Sequence, residues 1–284
     1  MPPVGLVAGA DVLGQRDVGV VLDRDVVVVV EQDEVAEALR AGLGESFSDI
    51  SGIRVDGYTI NNPQNVDMGS VDSGTTRRVL YQKFYTQWVN SGGTPNRTAV
   101  AQMISNFKRT DEDAPVIAAC QKNFGMLFTD GFSNSPANGD GIQGVYGNVD
   151  GNQGDPYDDT FTGSLADAVM SAYINPLRSG PGFPTGRVSL PTGCPIPPDP
   201  NDSGPLDCNP DLHMSFYAVT LGARGLQFNP DVTIDPYATP PTWPLSFPPR
   251  HPSAVDDLWH ATINGRGQLL NARSPDQIST QLKA

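Results

Sequence analysis

The residues of this chain that are equipped for chemistry are acids and hydroxyls placed at the ends of predicted strands and helices. Asp130 follows the apolar stretch 124–129, and Thr94 stands in the loop 91–95 that opens a predicted helix. Ligands of open α/β sheets bind beyond the carboxyl ends of the strands, and Mg²⁺ or Ca²⁺ takes such oxygen ligands. The competing interpretation is structural: Thr94 only caps a helix and Asp130 only begins a turn.

A second candidate site is the polar loop 148–159, which reads NVDGNQGDPYDD. Asp150, Asn152 and Asp155 stand at a spacing close to that of a calcium loop. The order does not match an EF-hand, because Gly154 and Asp155 are out of place and the distal glutamate is missing. The sequence therefore favours a solvated acidic turn over a calcium loop.

A third candidate lies near the C-terminus, where Asp256 and His260 are four residues apart on one predicted helix face. A carboxylate–imidazole pair is feasible at that spacing. Neither G-x-S-x-G nor H-E-x-x-H occurs in the chain, so no nucleophile motif accompanies the pair. We predict a structural helix, in which Trp259 packs, His260 bonds locally, and Asn264 and Gly265 begin a tight turn. We predict no catalytic residue and no organic cofactor.

Composition excludes two classes of partner. The 284 residues carry 18 basic and 32 acidic side chains, a net charge of −14. Nucleic acids and anionic membrane surfaces bind proteins that are rich in Lys and Arg. No apolar run approaches the roughly 20 residues of a membrane helix. A basic region followed by an apolar run is not visible at the N-terminus, so we predict no signal peptide in this chain.

The chain has three cysteines, Cys120, Cys194 and Cys208. The last two flank a loop rich in Pro and Asp. A disulfide closing such a loop stabilises a fold by about 3 kcal/mol, and an exported protein can form it. Two reduced thiols are the alternative.

Apolar runs alternate with helical periodicity along the chain. A continuous valine run at 26–30 predicts a strand buried on both faces, as in a parallel sheet. We predict further strands at 53–60, 124–129, 214–221 and 268–270, and helices near 35–43, 75–90, 95–107, 164–173, 253–264 and 274–284. Thr94, Ser164 and Ser253 are the predicted N-caps of three of these helices. The alternation predicts an α/β fold with an open, mostly parallel sheet and helices on both faces.

Two motifs carry a family resemblance. Residues 255–267 read VDDLWHATINGRG and residues 120–131 read CQKNFGMLFTDG. Together they resemble the von Willebrand factor A-like portion of the PilY/PilC-type proteins, which are type IV pilus biogenesis factors and tip adhesins. The resemblance covers about residues 50–284 and marks Asp256, Asp257, Trp259, His260, Asn264 and Gly265 as a structural signature.

The resemblance implies a von Willebrand A-like, Rossmann-type domain. We predict an atypical and poorly ordered N-terminal segment at 1–30, and the domain at 31–284. Its long loop insertions rich in Pro and Gly are predicted at 132–163, 176–211 and 222–252.

Von Willebrand A-like domains carry a metal-ion-dependent adhesion site. It uses a D-x-S-x-S motif after the first strand, a loop threonine, and an aspartate after the fourth strand. Thr94 and Asp130 match the second and third elements. The first element departs from the pattern: Glu31 and Asp33 follow the valine run but bring no serine pair. The resemblance therefore implies a weak Mg²⁺ or Ca²⁺ site, with Glu31 or Asp33 standing in for the serines.

The function implied by the resemblance is non-enzymatic. It comprises pilus assembly or retraction control and adhesion, with pilins, other pilus proteins, and host or abiotic surfaces as partners. The expected location is the cell surface, the pilus or the periplasm, and the chain is expected to be a truncated copy without the family's propeller. Three alternatives are a free-standing metal-dependent binding module, an exported hydrolase using Asp130 and His260, and an inactive fragment.

Overall fold

The computed structural model describes residues 20–23, 26–30, 48–49, 87–88, 94–110, 114–129, 131–133, 142, 144–200, 204–245 and 250–271. Before residue 94 it describes only the backbone of four short strands. The strands are β1 (Val20–Asp23), β2 (Val26–Val30), β3 (Ser48–Asp49), β4 (Gln87–Trp88), β5 (Asn123–Thr129), β6 (Met214–Thr220) and β7 (Leu269–Asn271). The helices are α1 (Asn96–Phe107), α2 (Leu165–Ile174) and α3 (Ser253–Asn264).

The main sheet has five strands in the order β1-β2-β5-β6-β7. Strands β2, β5, β6 and β7 run parallel, and β1 pairs antiparallel with β2. The prediction of an open, mostly parallel α/β sheet is confirmed, as are the valine strand and the position of the last strand at an edge. Strands β1 and β2 both come from residues 1–30, so this segment contributes to the sheet. Strands β3 and β4 pair separately.

One face of the sheet is built for helix packing. Buried and half-buried residues alternate along β5, because successive side chains of a strand point to opposite faces. Gly125 of β5 lets α1 approach closely: a Cβ there would lie 2.7 Å from Sδ of Met103 and 2.8 Å from Sδ of Met214. Phe216 of β6 pairs with Gly125 and lies on the same face. A Cβ at Gly265 would meet both Phe216, at 2.6 Å from its Cβ, and Val169 of α2, at 2.9 Å from its Cγ1.

The three described helices pack on this face as a layer, and the predicted helices on the opposite face fall outside the described residues. Helix α2 packs against both α1 and α3, α1 contacts β5, and α2 and α3 contact β6. The helices predicted at 35–43 and 75–90 lie outside the described residues except at 87–88. Those two residues form strand β4, so the prediction that the helix continues through them is wrong. Trp88 is aromatic, and aromatic residues favour strands. The helix prediction rested on the spacing of apolar residues alone and did not take this preference into account.

Two of the three predicted N-caps are wrong by one residue. Ser164 does cap α2, and its hydroxyl and the Asp167 side chain form a reciprocal capping box. Helix α1 instead has Pro95 at its N-cap, so Thr94 lies outside it. Helix α3 begins at Ser253, whose hydroxyl lies 2.8 Å from Nδ1 of His251 instead of capping the helix. The Ser253 hydroxyl thus bonds to a nearby imidazole nitrogen and not to a backbone N–H of the helix.

The long insertions consist of turns, bends, irregular backbone and one isolated bridge between Gly180 and Phe183 wherever they are described, within 144–163, 176–200, 204–211 and 222–245. Cys194 and Cys208 are joined by a disulfide with their Cα atoms 5.5 Å apart, and the thiol of Cys120 is free and exposed. Within the described ranges, no helix has the length and apolar character that crossing a membrane requires.

Candidate functional site

Helix α3 is enclosed by the rest of the domain. All twelve of its residues are buried, although they include two aspartates, a histidine and an asparagine. Buried polar groups need partners, so the contacts of these side chains show what the helix does.

Asp256 anchors the loop that follows β6. Its carboxylate accepts hydrogen bonds from the backbone N–H groups of Leu226 at 2.7 Å, Gln227 at 2.9 Å and Phe228 at 2.8 Å. Burial raises the pKa of Asp256, and the three N–H donors oppose that rise. A Cβ at Gly225 would lie only 2.0 Å from the carboxylate, so the loop requires glycine there.

Asp257 joins all three helices. Its carboxylate accepts from the N–H groups of Leu165 at 3.0 Å and Ala166 at 3.2 Å, which are unpaired donors at the start of α2. It also accepts from Nε of Arg97 on α1 at 3.3 Å, with the two side chains 0% and 4% exposed. The negative charge of Asp257 is stabilised both by the N-terminus of α2 and by the buried guanidinium of Arg97.

His260 binds the loop 148–159 and not its own helix. Its Nε2 lies 2.7 Å from the backbone oxygen of Tyr157, and its ring stacks on Trp243 with centroids 4.1 Å apart. Carboxylate oxygens of Asp150 and Asp159 lie 3.7 Å from Nε2 and 3.5 Å from Nδ1. The prediction that His260 bonds locally is therefore wrong. Asp256, four residues earlier on the helix, does not pair with His260 and binds residues 226–228.

The surroundings of His260 shift two pKa values. Burial alone would lower the pKa of His260, but Asp159 and Asp150 raise it above its ordinary value. Burial raises the pKa of Asp150 to about 8; His260 opposes that rise, and Asp159 and Asp167 add to it. Asp150 is 0% exposed, and one of its oxygens accepts from Nδ2 of Asn264 at 2.9 Å.

The structure groups Asp150 differently from the candidate calcium loop, and the burial of Asp150 shows that the favoured solvated turn is wrong at this residue. One ligand atom each from Asp150, Asp159 and His260 lies within 4.8 Å of the others. Asn152 and Asp155 are exposed in the same loop. Asp159 is the second of two adjacent acids that end the loop, so the sequence offered it as a ligand type. Its pairing with His260 could not be predicted, because the two residues are far apart in the sequence.

The rest of the signature secures the other loops. Trp259 packs against Trp243 and Phe228 with ring centroids 5.2 Å and 5.5 Å away, as predicted for its packing role. Gly265 ends α3 as predicted. The guanidinium of Arg266 lies over the ring of Tyr157 at 3.7 Å.

Arg266 also reaches the loop that the disulfide closes. One of its guanidinium nitrogens donates to the backbone oxygen of Pro200 at 2.7 Å, and the guanidinium lies over the ring of Tyr173 at 4.3 Å. The end of α3 thus contacts both α2 and the disulfide loop.

The carboxyl end of β5 is the place of the predicted adhesion-type site. Thr94 is half-buried there, while Asp130, Glu31 and Asp33 lie outside the described residues. Asn96, the first residue of α1, donates from Nδ2 to Thr129 Oγ1 at 3.2 Å and to Ser133 Oγ at 3.1 Å. Its own Oδ1 is buried without a hydrogen-bond partner. Asn96 was not predicted as a site residue, and its signal in the sequence is its place two residues after Thr94.

The structure thus defines an α/β domain with an enclosed helix whose side chains anchor the surrounding loops. The chain is distantly similar to the type IV pilus biogenesis factor PilY1 of Pseudomonas aeruginosa. It is 27% identical over 222 residues to that protein from strain PAK and 27% identical over 221 residues to the one from strain UCBPP-PA14. Each match covers 66% of this chain and 18% of the relative. No protein-family model matches the chain, and no solved structure matches it.

Proposed function

We propose that this chain is a non-enzymatic, type IV pilus-associated protein that acts by binding proteins or surfaces. The observation that carries the proposal is the distant relationship to PilY1, a protein named for type IV pilus biogenesis. The chain spans less than a fifth of those relatives' length. The proposal therefore includes its activity and its location on the pilus or the cell surface. It also includes its partners, which are pilins, other pilus proteins, and host or abiotic surface ligands.

The loop anchoring by α3 supports a binding role. Binding residues commonly lie on loops that a rigid scaffold positions, and a loop held in place before binding loses less entropy on binding. Asp256, His260 and Arg266 each hold a different loop through backbone groups. These contacts give a long-looped domain a preorganised surface.

A non-enzymatic role is also supported by the position of His260. The side chain is 1% exposed, and Nε2 faces a backbone oxygen, which requires Nε2 to be protonated. A general base must reach the proton that it removes. The exported-hydrolase alternative would need this imidazole to meet a substrate, which its enclosure opposes.

The pilus role is tested by deleting the gene in the source organism. We expect fewer surface pili, measured by electron microscopy and by immunoblots of pilin in sheared fractions, with restoration by the wild-type gene. We also expect the chain itself in the sheared pilus fraction. The alternative of a free-standing von Willebrand A-like module unrelated to pili predicts unchanged pili. Normal piliation after deletion, with the chain absent from pilus fractions, would reject the proposal.

We further propose that the binding surface includes a weak Mg²⁺ or Ca²⁺ site at the carboxyl end of β5, formed by Thr94 and Asp130 with Glu31 or Asp33. The hydroxyls of Thr129 and Ser133 near Asn96 make this end of the sheet rich in oxygen ligands. A site that lacks the serine pair binds weakly, so we expect a Kd on the order of 10⁻⁴ to 10⁻³ M, as in weak extracellular calcium sites.

Calorimetric titration with Mg²⁺ and Ca²⁺ tests this site. The expected result is saturable binding by the wild-type chain that disappears in Asp130→Ala and weakens in Thr94→Ala. Asp231→Ala is the matched control, because it removes an exposed acid on the loop after β6. Absence of binding in the wild type, or equal binding in Asp130→Ala, would exclude a metal-dependent surface at this edge.

A further inference from the structure

A second group of metal-binding residue types lies between the loop 148–159 and α3. Asp150 and Asp159 come from the loop 148–159, and His260 comes from α3. Their ligand atoms lie within 4.8 Å of one another, and Asp150 is fully buried. This is a compact set of two carboxylates and one imidazole, held between a loop and a helix.

Asp150 is incompletely satisfied as it stands. Asn264 donates to Oδ2, but Oδ1 is buried and has no hydrogen-bond partner. A buried polar atom without a partner costs stability, and native folds rarely keep one without a reason. An ion beside Oδ1 would supply the missing partner.

The orientation of His260 suits a metal ligand. The backbone oxygen of Tyr157 can only accept, so Nε2 carries the proton that is donated to it at 2.7 Å. In the neutral ring the lone pair is then on Nδ1, which lies 3.5 Å from Oδ2 of Asp159. Metal-binding histidines commonly donate their second ring N–H to a backbone carbonyl in this way, because that bond fixes the tautomer and the ring orientation. Stacking on Trp243 fixes the ring further.

The local charge also favours a cation. The carboxylate of Asp167 accepts from the N–H of Val149, the residue before Asp150, at 2.6 Å and from that of Ser164 at 2.9 Å. Two carboxylates thus lie near the imidazole, and a third is bonded to the loop that carries Asp150. Carboxylates brought together in a buried region repel one another when they are ionised, and a divalent ion would offset that charge.

We propose that Asp150, Asp159 and His260 hold one divalent transition-metal ion, Zn²⁺ or Mn²⁺, which fastens the loop 148–159 to α3. The imidazole nitrogen decides the class of ion, because imidazole suits first-row transition metals whereas Mg²⁺ and Ca²⁺ take oxygen ligands. The ion has a structural role here, since its ligands are enclosed, and this proposal does not depend on the pilus assignment.

The test is metal analysis of the full chain combined with its thermal unfolding. We expect about one equivalent of Zn²⁺ or Mn²⁺ per chain by plasma mass spectrometry after purification without chelator. We also expect Tm to fall when EDTA removes the ion and to recover with Zn²⁺ or Mn²⁺ but not with Ca²⁺. A ligand that binds only the folded state raises Tm in this manner.

Asp159→Asn is the informative variant. Asparagine retains the oxygen that accepts from the N–H of Phe161 at 2.7 Å, so circular dichroism and the Tm in EDTA should match the wild type. The variant should bind the ion at least about tenfold more weakly, because a ligand has been removed. Asp155→Asn is the matched control and should bind like the wild type, since Asp155 is exposed and outside the set.

Two results would overturn the proposal. One is a wild-type chain that takes up no Zn²⁺ or Mn²⁺ and whose Tm does not respond to these ions. In that case His260 is a protonated partner of Asp159, and the group is an ion pair. The other is equal binding by Asp159→Asn and the wild type, which would place the ion elsewhere in the chain.

Discussion

Asp257→Ala is expected to lower the free energy of unfolding by about 3–5 kcal/mol, the effect of removing one partner from a buried ion pair. The change removes a carboxylate that faces the buried guanidinium of Arg97 and leaves the N–H groups of Leu165 and Ala166 without this acceptor. Equilibrium unfolding in urea, with linear extrapolation to water, measures the loss.

Asp231→Ala is the matched control for this result. Asp231 also pairs with an arginine, Arg224, but the two side chains are 46% and 55% exposed. Exposed ion pairs contribute about 0–1 kcal/mol, so the control should unfold nearly like the wild type. Equal losses in the two variants would show that Asp257 does not tie the helices together.

Gly267→Ala is expected to cost about 3 kcal/mol, at the upper end of the range for overpacking. A Cβ at Gly267 would lie 1.9 Å from the backbone oxygen of Phe216 and 2.6 Å from its carbonyl carbon. Those atoms belong to β6, so they can move only if the strand moves. The turn is also bonded to β6 on both sides, through Phe216 N–H to Gly265 at 3.1 Å and Ala218 N–H to Gln268 at 3.1 Å.

Thermal and urea unfolding measure this effect, with Gly182→Ala as the control. A Cβ at Gly182 would meet no atom within 4 Å, so that variant should be neutral or slightly more stable. A Gly267→Ala chain with wild-type stability would mean that the turn and β6 are not held as closely as the geometry requires.

The sheet was predictable because its strands are short apolar runs that carry their own signal. Val26–Val30, Phe124 to Thr129 and Met214 to Thr220 are local patterns, and a buried parallel strand needs no other information. The N-cap of α2 was predictable for the same reason, since Ser164 and Asp167 are three residues apart. Thr94 and Ser253 show the limit of such reasoning, because a local hydroxyl can take another partner.

The contacts of α3 were not predictable, because each joins residues far apart in the sequence. His260 binds the backbone of Tyr157 across 103 positions, and Asp257 binds that of Leu165 across 92. Every residue type carries the same backbone donor and acceptor groups, so a sequence motif cannot indicate which of them a side chain will bind. The motif from Asp256 to Gly265 was visible in the sequence, but the loops that its side chains hold were not.

The separation of these partners along the chain has a consequence for biosynthesis. The loop 148–159, the start of α2 and residues 226–228 are made before α3, and each depends on an α3 side chain for its buried contacts. A nascent chain that has not reached residue 264 therefore leaves these segments without their partners, and the domain can complete its folding only after that point.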